Sequence, residues 1–158
     1  MSYKVWGNKL DAPDLLGTSK YVTFKPNKNL VLRAVRTSFI VYNDPVFTNL
    51  NAKIYTAGDN NAPGLLLYTS TDSRTKAEIH TRPNGDKSTY FTFADIPLQA
   101  NTYYNVVVNG QGYIPTANSH LAWRLAFPDP VYRDPLFTYG FSNLNRCPYD
   151  LHIIAGEF

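Results

Sequence analysis

Phe91-Thr-Phe-Ala-Asp-Ile-Pro-Leu98-Gln-Ala-Asn-Thr102-Tyr-Tyr104-Asn-Val106-Val-Val108 contains two extended segments and the corner between them. Phe91 and Phe93 alternate with Thr92, and Tyr104, Val106 and Val108 alternate with Asn105 and Val107. A period of two is the signature of a strand with one face in a core, because successive side chains leave a pleated backbone on opposite sides.

The link between the two segments, Leu98-x-Ala-x-Thr102-x-Tyr104, resembles the tyrosine corner of fibronectin type III and other β-sandwiches. The resemblance implies that Tyr104 turns its hydroxyl back onto the backbone just upstream. It speaks for architecture and not for activity.

Upstream, Asn84-Gly85 lies between Ala77–Arg82 and Lys87–Phe93, a strong hairpin signal. In that hairpin Ala77, Ile79 and Thr81 face the core opposite Phe91 and Phe93, leaving Glu78, His80 and Tyr90 on the other face. Leu65–Ser70 reads as a strand buried on both sides of its middle. It follows a loop, Ala57 to Gly64, made almost wholly of turn-forming residues. Asn51–Thr56 is the strand before it. Leu30–Tyr42 is too long for one straight strand and predicts a bend or bulge near residues 34–37. Tyr21–Phe24, His120–Phe127, Phe137–Ser142 and Tyr149–Ala155 complete a set of roughly nine strands with no amphipathic helix. His120–Phe127 carries Leu121, Trp123, Leu125 and Phe127 on its core face. The fold class expected is all-β: a two-sheet antiparallel β-sandwich, with jelly-roll order first and a fibronectin-like or immunoglobulin-like order second. Residues 1–20 form an N-terminal arm, and residues 21–158 form a single sandwich domain.

The chain has 158 residues, enough for one well-filled core and too few for two. Aromatic residues make up 15% and charged residues only 17%, so Asn, Thr, Ser and Tyr must cover much of the surface. The net charge of +3 comes from scattered Lys and Arg, a pattern that predicts no nucleic-acid binding. The single cysteine, Cys147, excludes an internal disulfide. No apolar run reaches the roughly 20 residues of a membrane span, so membrane insertion is not expected. Met1 to Asn8 lack the apolar core of a signal peptide, which predicts synthesis in the cytoplasm.

Chemistry-bearing constellations are sparse. His80, His120 and His152 fall in separate strands and read as surface or edge histidines, with no short metal-ligand spacing. Asp95, Asp129, Asp134 and Asp150 sit at strand ends, where Asp caps turns. No catalytic residue, metal site or cofactor is therefore assigned. Asp59-Asn60-Asn61, with Asp72 on a following turn, offers oxygen ligands but too few carboxylates for a tight calcium site. The ligand or interface residues proposed from the sequence are Trp6, Tyr113, His120, Arg124 and Tyr132. Aromatic faces beside a few polar or cationic donors hold sugar rings, and they equally anchor protein interfaces.

Ile54-Tyr-x-Ala-Gly58, then Pro63-Gly-Leu-Leu-Leu-Tyr68, then the Phe-x-Phe strand and the tyrosine corner follow one another over residues 50–109. That succession resembles jelly-roll modules of phage virion and bacterial surface proteins. The resemblance implies a non-enzymatic structural or interaction protein, such as a capsid decoration or tail-associated subunit. Its partners would be other copies of itself or other virion proteins, and its place the virion. The alternative is a carbohydrate-binding, lectin-like module that takes a surface glycan on Trp6, Tyr113 or Tyr132.

Overall fold

A computed structural model describes residues 21–37, 39–59, 62–79, 89–114, 116, 118–123, 137–140 and 151–157. The expected arm, residues 1–20, lies outside them, as do Trp6, Cys147 and the proline-rich segment 128–135. The described strands are β1 (Val22–Pro26), β2 (Leu30–Thr37), β3 (Phe39–Tyr42), β4 (Asn49–Ala57) and β5 (Pro63–Thr69). They continue with β6 (Thr89–Leu98), β7 (Tyr104–Gln111), β8 (His120–Trp123), β9 (Phe137–Gly140) and β10 (Leu151–Glu157).

Every pairing is antiparallel. One sheet has the order β5-β4-β7-β1-β9 and a second the order β10-β2-β6, while β3 and β8 form a third, two-stranded ribbon. The two larger sheets pack together as a β-sandwich. Val22, Phe24, Leu50, Ile54, Val106 and Val108 from the first meet Leu30, Leu32, Val35, Phe91, Ile96 and Leu98 from the second, with Phe39 and Leu121 from the ribbon. Each large side chain buried in that layer contributes about 1.5–3 kcal/mol. In one layer β2 pairs with β6, and in the other β4 pairs with β7.

The corner between β6 and β7 forms as its spacing implies. The Gln99 amide donates to Tyr104 Oη at 2.9 Å. The Ala100 amide donates to Asn29 Oδ1 and the Asn101 amide to the Pro26 carbonyl, both at 2.8 Å, so the same corner is lashed to the β1–β2 turn.

The long segment 30–42 breaks twice. Pairing slips between Leu32 and Ala34 on both sides of β2, and beyond Thr37 the chain leaves β6 and β10 to pair with β8. The slip on β6 falls at Ala94-Asp95, with Asp95 in the left-handed region at φ 49°. The bulge has a packing purpose. Strict alternation from Phe91 and Phe93 would turn Asp95 inward and Ile96 outward, whereas the extra residue leaves Asp95 exposed and returns Ile96 and Leu98 to the core.

Two expectations about local structure are corrected. Lys76–Glu78 is a 3-10 turn rather than the start of a hairpin strand, so Ala77 is exposed, although Ile79 is buried as expected. Residues 80–88, with the Asn84-Gly85 turn, lie outside the described residues. β7 is buried on both faces: Asn105 and Val107, expected to face outward, are as buried as Val106. β7 lies between β4 and β1 in the middle of the sheet, and both of its faces are covered. Away from the core, Thr23 Oγ1 donates to Asn105 Oδ1 at 2.6 Å, which answers part of the amide's polar demand.

Candidate interaction surfaces

Among the described residues β5 is the outermost strand of the five-stranded sheet, with β4 as its one hydrogen-bonded neighbour. Its hairpin closes by a Gly58 amide to Ala62 carbonyl bond at 2.6 Å and an Ala62 amide to Asp59 carbonyl bond at 3.0 Å. The Leu65 amide is taken up by Thr56 Oγ1 at 2.8 Å. A glycine is needed at position 64, since a Cβ there would lie 2.6 Å from that same Thr56 oxygen. Beyond this point three leucines follow in the open. Leu65 is 75% exposed, Leu66 50% and Leu67 41%.

That exposure corrects the expectation of a strand buried on both sides. A continuous apolar run is the usual mark of a central strand covered on both faces. Here the same run sits at the margin of the described sheet, beside β4. Exposed edges are normally guarded by charge, proline or bulges. β5 begins with Pro63 and slips register twice against β4, but the sequence from Asn60 to Thr71 holds no charged residue.

A second apolar surface lies where the β3–β4 and β7–β8 connections run together. Val46 and Ile114 form an isolated antiparallel bridge, with the Ile114 amide donating to the Val46 carbonyl at 2.9 Å. Both side chains are exposed. Beneath them Phe47 and Tyr113 meet edge to face, ring centroids 6.3 Å apart. Asn43 Nδ2 donates to the Asn118 carbonyl, closing the far side of the same pair of loops.

Tyr113 is thereby placed differently from expectation. Its ring is buried, and its hydroxyl accepts the Leu121 amide proton at 2.6 Å and donates to the Leu121 carbonyl at 3.3 Å. A ring enclosed in this way has no open face for a sugar, so Tyr113 positions β8 instead. His120 opens β8 in register with Tyr42, one residue from the peptide that Tyr113 holds. Trp6, Arg124 and Tyr132 lie outside the described residues.

Of the oxygen ligands considered for a cation, Asn60 and Asn61 lie outside the described residues. The Asp59 carbonyl closes the β4–β5 hairpin. Asp72 accepts from the Thr92 amide, Thr92 Oγ1 and Arg74 Nη2, each at 2.9 Å. Arg74 Nε in turn donates to the Tyr90 carbonyl at 2.8 Å, and its backbone exchanges two bonds with Leu50. This cluster fastens the segment after β5 to both layers. Among the described residues no group of three or more His, Cys, Asp or Glu side chains could hold a metal ion.

No protein-family model matches the chain, and no curated protein matches it. Sequence reasoning missed Val46, Ile114 and the three leucines of β5 as surface residues. The signal available for β5 was the charge-free run from Asn60 to Thr71.

Proposed function

We propose that this chain is a non-enzymatic structural or interaction protein that works by joining other subunits. The observation that carries the reading is the uncharged margin of the five-stranded sheet, where Leu65, Leu66 and Leu67 stand exposed on the outermost of the described strands. A free edge presents unpaired N–H and C=O groups, and apolar side chains beside them favour a partner that covers both. The Val46–Ile114 pair adds a second apolar patch at the loop end.

The concrete form of the proposal is a virion surface subunit, such as a capsid decoration or tail-associated protein. It rests on the resemblance of residues 50–109 to jelly-roll modules of phage and bacterial surface proteins. A charge-poor composition suits close packing against like surfaces.

Light scattering of the full chain across the micromolar range tests the assembly reading. A dimer or larger species is expected. A monomer at every concentration, together with glycan-array binding that Tyr132→Ala abolishes while leaving the fold intact, would replace it with the lectin-like alternative.

A further inference from the structure

We draw no further inference here: the strongest candidate, the exposed apolar patch of Val46 and Ile114 where the β3–β4 and β7–β8 connections run together, carries nothing, because nothing in the structure shows what covers it.

Discussion

Tyr113 and Leu121 are joined twice through one oxygen, which accepts the Leu121 amide at 2.6 Å and donates to its carbonyl at 3.3 Å. Both residues are buried, and Leu121 belongs to the core while its peptide lies at the β3–β8 ribbon. Tyr113→Phe keeps the ring and leaves a buried amide and carbonyl without that partner. The expected loss is about 1–3 kcal/mol, read from the urea midpoint. Faster hydrogen exchange at the Leu121 amide should accompany it.

Tyr104→Phe is chemically the same change at the corner, yet the expected cost is smaller, about 0.5–1.5 kcal/mol. Gln99 is exposed, so water can reach its amide once the hydroxyl is gone. Burial, not bond length, sets the order. Denaturation of the two variants side by side checks it, and equal losses would contradict it.

Asp72→Ala removes three bonds at once, two from Thr92 and one from Arg74. These charge-assisted bonds hold the segment after β5 to β6. Partial exposure of both side chains lets water offset part of the loss. The expected destabilisation is about 2 kcal/mol. A double-mutant cycle with Arg74→Ala should show that the two losses do not add.

The Glu78 carboxylate accepts from the Thr75 amide at 3.1 Å and from Thr75 Oγ1 at 2.9 Å, with Arg74 Nη1 3.6 Å away. The Thr75 amide above all, then the Thr75 hydroxyl and the Arg74 charge, holds its pKa below the ordinary carboxylate value. A folded-state pKa below the unfolded one means that Glu78 stabilises the fold fully above the unfolded value. The contribution is lost as pH falls through the folded one. The difference in melting temperature between wild type and Glu78→Gln should therefore be present at neutral pH and shrink on acidification. A difference that grows toward acid would reverse the assigned sign.

Gly64→Ala places a methyl group 2.6 Å from Thr56 Oγ1, the atom that holds the Leu65 amide, and close to the Gly58 backbone. Overpacking of this kind costs about 1–3 kcal/mol. The expected signature is local: faster exchange at the Leu65 amide, with the Tyr104 corner unchanged.

Much of the fold was legible residue by residue. Phe91, Phe93, Tyr104, Val106 and Val108 all face the core as their alternation predicts, and Tyr104 reaches the upstream backbone. The misplacements are instructive. Leu65–Leu67 and Val106–Val108 are both short apolar runs, yet one stands at an edge and the other at the centre of the same sheet. Tyr113 reads as an exposed loop ring because nothing beside it in the chain reveals Leu121 as its partner. Ala77 follows a plausible alternation, but Glu78 folds back onto Thr75 and makes a turn instead.

The amino-acid order alone determined which side chains turn inward along most strands, where the chain must turn and that two antiparallel layers result. These are consequences of pleat geometry and turn chemistry acting over a few residues. Only the tertiary structure decided that among the described strands β5 has one neighbour and β7 two, that Asp95 is lifted out of phase, and that a tyrosine oxygen is spent on β8. Such facts depend on which distant strand arrives alongside, and a strand's own residues do not encode whether its outer hydrogen-bonding groups meet a neighbour or water.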